Sequence, residues 1–166
     1  FGRRLSQDES IPVIHAAMDA GISFFDTAEG YGDGLSEQYI GRAIKGRRDE
    51  VRIATKFGYN VQHATGKGKG SAENIRLAIE RSLKNLGTDY VDLYQIHRFD
   101  PSTPIAETLG ALNELVVAGK VRLIGCSNFT GAQLRDAAET AQRMGVASFV
   151  TLQNQWSLFD RGIEEE

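Results

Sequence analysis

Apolar and β-branched residues are concentrated in five short runs spaced along the 166-residue chain. The runs are ISFFDT (22–27), VRIATK (51–56), VDLYQI (91–96), VRLIGC (121–126) and SFVTLQ (148–153). Runs of this length and composition predict β-strands. Several of them are more apolar than strict alternation would give, which favours a sheet covered on both faces.

Amphipathic helices are predicted between these runs. Apolar residues recur at helical spacing at Ile75, Ile79, Leu83 and Leu86, and at Ile105, Leu109, Leu112 and Val116. Helix starts are predicted from N-caps at Ser10, Ser36, Ser71, Thr103 and Thr130. Gln133 can complete a capping box with the last of these, and Pro104 fits a first helical position. Left-handed glycines are predicted to close the helices at Gly21, Gly46, Gly87, Gly119 and Gly145.

Helices and strands alternate, and successive strands start about 30 to 40 residues apart, which is the length of a parallel βαβ unit. Two architectures fit this alternation, a (β/α)8 barrel and an open doubly wound sheet. A barrel typically needs about 250 residues and eight strands, so a barrel would be only partly supplied by this chain. No Pro-rich or Ser-rich linker interrupts residues 1–166, which predicts a single domain.

Charge, cysteine content and hydropathy exclude several classes of function. The net charge is −3 and the basic residues are scattered, which argues against binding of nucleic acid or anionic lipid. The one cysteine, Cys126, excludes an internal disulfide and a thiolate zinc site, and we expect no metal. No apolar run approaches the roughly 18 residues of a membrane span, and no signal peptide is recognisable. The expected location is therefore the cytoplasm.

Polar side chains follow the carboxyl end of every predicted strand, the edge at which parallel α/β folds build their sites. In chain order they are Asp26 with Tyr31, Lys56, His97, Ser127 with Asn128, and Gln153 with Asn154. Each has an ordinary explanation by itself, since an Asp in this position is commonly a turn residue and a lone His is commonly structural. We expect His15 and His63 to be structural histidines. Their coincidence on adjacent strand ends predicts a functional site.

Four of these side chains suit the addition of a hydride and a proton to a carbonyl group. A phenol is a dependable but weak proton donor, because its reference pKa is near 10. A nearby ammonium stabilises the phenolate, so Lys56 is predicted to lower the pKa of Tyr31. Asp26 is predicted to hold Lys56 charged, and His97 to align or polarise the carbonyl oxygen.

The motifs that contain these residues resemble those of the aldo-keto reductases, which are NADPH-dependent enzymes built on a (β/α)8 TIM barrel. GISFFDTAEGYG contains Asp26 and Tyr31, IATKFG contains Lys56, and LYQIH contains His97. The resemblance implies that these four residues are a catalytic tetrad. It also implies that the substrate is a small aldehyde or ketone.

The resemblance implies a cofactor site as well. Ser127 and Asn128 in VRLIGCSNF, with Gln153 in LQNQWSL, match the residues that bind the nicotinamide carboxamide. Trp156 stands where many relatives carry Tyr, which leaves the Gln153 assignment intact. NADPH rather than NADH is a family expectation only. The five strands match the second to sixth strands of the barrel, so we expect these residues to belong to a longer polypeptide.

Two other functions fit parts of the sequence. Potassium-channel β-subunits keep the barrel, the cofactor site and the tetrad, so the tetrad cannot separate a regulatory subunit from an enzyme. A (β/α)8 lyase or isomerase with Lys56 as a Schiff base is less favoured. The segment YNVQHATGKGKG (59–70) lacks the spacing of a P-loop and is predicted to be a mobile loop over the site. The oligomeric state is left open.

Overall fold

The computed structural model describes residues 2, 4–59 and 68–165. The strands are β1 (Phe24–Asp26), β2 (Arg52–Phe57), β3 (Val91–Ile96), β4 (Val121–Ser127) and β5 (Leu152–Gln153). The helices are α1 (Gln7–Asp19), α2 (Leu35–Ala43), α3 (Ala72–Leu86), α4 (Ile105–Val117) and α5 (Gly131–Met144). Short 3-10 turns lie at Arg48–Glu50 and Gly162–Glu165. The predicted alternation of helices and strands is confirmed.

The strands pair in the order β1-β2-β3-β4-β5, and all four pairs are parallel. A doubly wound sheet reverses its order at a switch point, whereas this order follows the chain throughout. A flat sheet would hold β1 and β5 about 19 Å apart. Gln153 Nε2 on β5 nevertheless lies 3.4 Å from Asp26 Oδ2 on β1. The sheet is therefore curved as a partial (β/α)8 barrel, and the open-sheet alternative is wrong.

The helices cover the outer face of the sheet and pack against one another in chain order. The predicted apolar face of α3 is buried in this core at Ile75, Ile79, Leu83 and Leu86. Under α3, the rings of Phe57 and Tyr94 stack with centroids 4.8 Å apart, which joins β2 to β3. Along the part of the chain that the structure describes, no helix is both long and apolar enough to span a bilayer.

Three predicted helix starts are wrong, because nearby groups use the residues differently. Helix α1 begins one turn earlier, where Ser6 and Glu9 form a complete capping box, and Ser10 is an internal residue that donates to the Ser6 carbonyl oxygen. Helix α2 begins after left-handed Gly34, and Ser36 inside it accepts a hydrogen bond from Thr27 Oγ1.

The third error is at α4, where Pro104 is itself the N-cap rather than the first helical residue. Thr103 does not cap this helix because its hydroxyl donates to Asp100 Oδ2 over 2.8 Å. The N-caps Ser71 and Thr130 are confirmed, the latter with the predicted capping box. The five glycines predicted to close the helices all have positive φ, namely Gly21, Gly46, Gly87, Gly119 and Gly145.

The two outer strands are shorter than predicted, with β1 at 24–26 instead of 22–27 and β5 at 152–153 instead of 148–153. Each has one pairing neighbour among the described residues. A strand with one neighbour has fewer backbone hydrogen bonds to keep it in register, so β1 and β5 end early. Before the start of β5, Val150 N still donates to Ile124 O.

At the amino-terminal end of the sheet, Asp92 on β3 holds three elements together. Its carboxylate accepts hydrogen bonds from Ile53 N at 2.9 Å, Arg48 Nη2 at 2.8 Å and Arg122 Nη1 at 3.1 Å. The side chain is 8% exposed. Asp92 thus anchors the start of β2 at the end of the barrel opposite the predicted site.

Candidate active site

The carboxyl ends of all five strands meet at one rim, where the structure places all seven predicted site residues. Strands β1, β4 and β5 end at Asp26, Ser127 and Gln153, respectively, and Lys56 lies near the end of β2. The loops that follow β1, β3 and β4 contain Tyr31, His97 and Asn128, respectively. In a parallel barrel this is the edge at which strand-to-helix loops converge.

Lys56 points into the barrel and is held by the end of β1. Its Nζ lies 2.7 and 2.6 Å from the two carboxylate oxygens of Asp26 and donates to Thr27 O at 3.1 Å. The Lys56 side chain is 2% exposed and that of Asp26 is 31% exposed. An ammonium carries three donors, and these contacts match that number. The prediction that Asp26 is the partner of Lys56 is confirmed.

Tyr31 lies in the loop after β1, with Lys56 Nζ 5.4 Å from the centroid of its ring. The loop is closed by Tyr31 N donating to Ala28 O and by Ser36 N donating to Tyr31 O. Burial and then the Asp26 carboxylate raise the pKa of Tyr31 above its ordinary value. The predicted net lowering is not found, because burial, the Asp26 carboxylate and Tyr59 together raise the pKa of Tyr31. The phenol therefore keeps its proton at neutral pH.

His97 lies between two tyrosine rings. Its ring centroid is 5.9 Å from that of Tyr31, edge to face, and 4.8 Å from that of Tyr59. Burial, followed by the charges of Lys56 and Arg98, lowers the pKa of His97 from 6.5 to about 4. Nδ1 is buried and has no hydrogen bond within the described part of the chain, which leaves Nε2 as the nitrogen able to meet a ligand.

We expect His97 to stay neutral as the pH falls below 6.5. In the unfolded chain an ordinary histidine gains its proton near pH 6.5, whereas in the folded protein His97 does so near pH 4. The unfolded state binds more protons in this window, so His97 contributes stability above pH 6.5 that is lost as the pH falls toward 4. NMR titration of the His97 ring in the full-length protein checks this, and a transition near pH 6.5 would contradict it.

Ser127 and Asn128 tie the ends of three strands together. Ser127 Oγ donates to Gln153 O at 2.6 Å, and Asn128 Nδ2 donates to His97 O at 2.8 Å and to Ser127 Oγ at 3.0 Å. Asn128 has a φ of 57°, a left-handed conformation that asparagine tolerates better than most residues. The turn after β4 is therefore fixed beside His97.

The Gln153 side chain is held more loosely than its backbone. Its Nε2 donates to Asp26 Oδ2 and its Oε1 accepts from Gln95 Nε2, both at 3.4 Å, which is long for a hydrogen bond. A carboxamide ligand needs an acceptor for its N–H groups and a donor for its oxygen. The side-chain amides of Gln153 and Asn128 each have an oxygen that can accept a hydrogen bond and a nitrogen that can donate one. The residues present therefore fit a nicotinamide carboxamide.

The seven residues form a closed ring of contacts. In order, the ring runs through Lys56, Asp26, Gln153, Ser127, Asn128, His97 and Tyr31, and then back to Lys56. It brings a phenol, an ammonium–carboxylate pair, a neutral imidazole and amide groups together at the rim. A site of this composition can donate a proton to an oxygen atom and can bind an amide ligand.

Other residues at the rim were not predicted. Gln95, buried on β3, accepts from Thr151 Oγ1 at 3.1 Å and supports Gln153, and Tyr59 covers His97. A glutamine inside the apolar run VDLYQI, two residues before His97, was the available signal for Gln95. His15 bonds to Ala43 O, as expected of a structural histidine, whereas His63 and residues 60–67 of the predicted loop lie outside the described residues.

Comparisons with known proteins identify the family of the chain. The model of the aldo/keto reductase family matches residues 1–166. The chain is 44% identical over 158 residues to aldo-keto reductase YhdN of Bacillus subtilis (strain 168), covering 94% of this chain and 46% of that protein. It is 41% identical over 164 residues to probable aldo-keto reductase 1 of Glycine max, covering 98% of this chain and 46% of that protein. The chain belongs to the aldo/keto reductase family.

A solved structure supports the same fold. The crystal structure of the thermostable aldo-keto reductase Tm1743 with the inhibitor epalrestat matches with a TM-score of 0.84 and 35% identity, over 96% of this chain and 54% of that one. The chain thus spans about half the length of the relatives it matches. The fold is that of a partial (β/α)8 barrel, and the family indicates an oxidoreductase.

Proposed function

We propose that the full-length protein reduces an aldehyde or ketone to an alcohol with NADPH. The observation that carries the proposal is the closed ring of contacts, which holds Tyr31, Lys56 and neutral His97 beside a set of amide groups. A proton donor, a cation and a neutral hydrogen-bond donor grouped at one rim suit the addition of hydride and proton to a carbonyl group.

In this proposal Tyr31 donates its proton to the carbonyl oxygen. Lys56, held by Asp26, stabilises the negative charge that then develops on the phenolate. His97 donates from Nε2 to the same carbonyl oxygen and orients it. Ser127, Asn128 and Gln153 hold the nicotinamide carboxamide. NADPH, when bound, supplies the hydride.

The two alternatives gain no support. A Schiff-base lysine must attack as a neutral amine, whereas the Lys56 ammonium is bound by both oxygens of Asp26 and by Thr27 O. The two curated relatives described above are named as aldo-keto reductases. We therefore propose neither.

The experiment that tests the function is an assay of carbonyl-dependent NADPH oxidation by the full-length protein. A panel of aliphatic and aromatic aldehydes and ketones is offered, with NADH in parallel and with a control lacking the carbonyl compound. We expect NADPH consumption that depends on the carbonyl and yields the alcohol. Tight NADPH binding without consumption by any member of the panel would instead favour a regulatory role.

A further inference from the structure

Glu29 is a buried carboxylate beside the candidate active site that has no place in the proposed chemistry. It lies two residues before Tyr31, in the loop between β1 and α2, and its side chain is 4% exposed. A glutamate in a turn is ordinarily solvated, because removing its charge from water is costly unless it is paired. The contacts that compensate for its burial therefore indicate what it does.

The Glu29 carboxylate connects the Tyr31 loop to the end of β2. Its Oε1 accepts a hydrogen bond from Gly58 N at 2.9 Å, and its backbone N donates to Lys56 O at 3.0 Å. Gly58 has a φ of 84°, a conformation suited to glycine, and it is followed at once by Tyr59, which covers His97. One carboxylate thus fixes the segment that carries Lys56 and Tyr59 relative to the loop that carries Tyr31.

Arg81 on α3 contacts the second oxygen of the Glu29 carboxylate. Its Nη2 lies 3.3 Å from Glu29 Oε2 and is the ionic partner of that buried charge. Burial raises the pKa of Glu29, and the nearby buried Glu37 adds to this effect. Glu29 is buried, whereas the Arg81 side chain is 32% exposed. Burying a charge at such a cost is weak evidence for stability, so a positional role is the better explanation.

We propose that Glu29, supported by Arg81, is a positioning residue that sets the Tyr31 loop against the Lys56 and Tyr59 segment. It acts through these residues and touches neither substrate nor cofactor. The proposal rests on the proposed reductase function, because that function gives Tyr31 its need for a fixed distance from Lys56. A misplacement of about 1 Å in a catalytic group can cost on the order of 10²-fold in rate.

Asp92 on β3 provides a matched control, because it binds the start of β2 whereas Glu29 binds the residue that follows the end of β2. Like Glu29, it is a buried carboxylate that accepts from a backbone amide at one end of β2, here Ile53 N, and from an arginine, here Arg48. Both carboxylates therefore anchor β2, but only Glu29 lies next to the candidate site. Removing either side chain should destabilise the fold, whereas only the loss of Glu29 should move Tyr31.

The test compares Glu29→Ala, Glu29→Gln and Asp92→Ala in the full-length protein. We expect Glu29→Ala to lower kcat at least about ten-fold with the KM for NADPH changed less than about two-fold. Glu29→Gln should recover most of the rate, because its amide oxygen can still accept from Gly58 N. Asp92→Ala should keep its kcat at temperatures where it is folded. A kcat lowered equally in both alanine variants would overturn the proposal.

Hydrogen exchange supplies a readout that does not need activity. We expect Glu29→Ala to speed amide exchange in residues 27–31 and 56–59, and Asp92→Ala to leave these segments unchanged. Unchanged amide exchange in Glu29→Ala would contradict the positioning role, whatever the activity of the wild-type protein. Absence of carbonyl reduction by the wild-type protein would instead overturn the reductase function. If Glu29→Ala does not fold, Arg81→Met is used in its place, because it removes the charge that supports Glu29. Amide exchange and kcat equal to those of the wild-type protein in Arg81→Met would also overturn the proposal.

Discussion

Replacement of Tyr31 by Phe is expected to lower kcat of the full-length protein by about 10²- to 10⁴-fold, the usual contribution of a positioned proton donor. Phenylalanine keeps the ring that packs edge to face on His97 and lies under Lys56 Nζ. The variant therefore loses the hydroxyl and little else. Steady-state reduction of the best aldehyde from the substrate panel measures the effect.

Cofactor binding should survive this change, because the residues proposed to hold the carboxamide lie at the ends of β4 and β5 and in the loop after β4, and their hydrogen bonds do not involve the Tyr31 hydroxyl. Titration of NADPH by protein fluorescence checks this. Tyr90→Phe is the matched control, since it removes a hydroxyl from a tyrosine packed between Arg48 and Arg122 at the other end of the barrel. Turnover by Tyr31→Phe equal to that of this control would exclude Tyr31 as the proton donor.

The identities of the site residues could be predicted because strand ends are readable in the sequence. Asp26, Lys56 and His97 each terminate or follow an apolar run, and parallel pairing in chain order then brings them to one rim. Their electrostatics could not be predicted in the same way. The low pKa of His97 depends on burial and on Lys56 and Arg98, which come together only in the fold.

Tyr31 illustrates the limit most directly. The sequence places it five residues after Asp26 but does not say which part of the phenol meets Lys56. In the structure the ammonium faces the ring, and burial with Asp26 raises the pKa that was expected to fall. Ionisation follows from distances between groups on different strands, and a sequence contains no such distances.

Glu29 and Gln95 were missed for a related reason. Glu29 stands in a polar turn and reads as solvated, yet it is buried by contacts with Gly58 and with Arg81, which lies 52 positions further along the chain. Gln95 is satisfied by Thr151, 56 positions away. Hydrogen bonds over such separations depend on how α3 and β5 pack, which local patterns do not encode. The three wrongly predicted N-caps, Ser10, Ser36 and Thr103, were similarly decided by competing partners.

The second large effect is expected from Lys56→Met, which removes the ammonium while keeping a side chain of similar length. We expect kcat to fall by at least about 10²-fold, because nothing then stabilises the phenolate formed as Tyr31 gives up its proton. The Asp26 carboxylate also loses its cation. Because Asp26 is 31% exposed and stays partly hydrated, the free energy of unfolding should fall by about 3 kcal/mol, the low end for a broken buried pair.

A double variant separates catalysis from stability. Lys56→Met combined with Asp26→Asn removes both charges, and the oxygen of the introduced amide can still accept the hydrogen bond from Gln153 Nε2. A buried ion pair replaced by uncharged groups of similar volume is often close to neutral in stability, so the unfolding midpoint should return toward that of the wild-type protein. Turnover should stay low, because the cation needed by Tyr31 is still absent. Recovery of turnover together with stability would mean that Lys56 holds the rim together rather than assisting proton transfer.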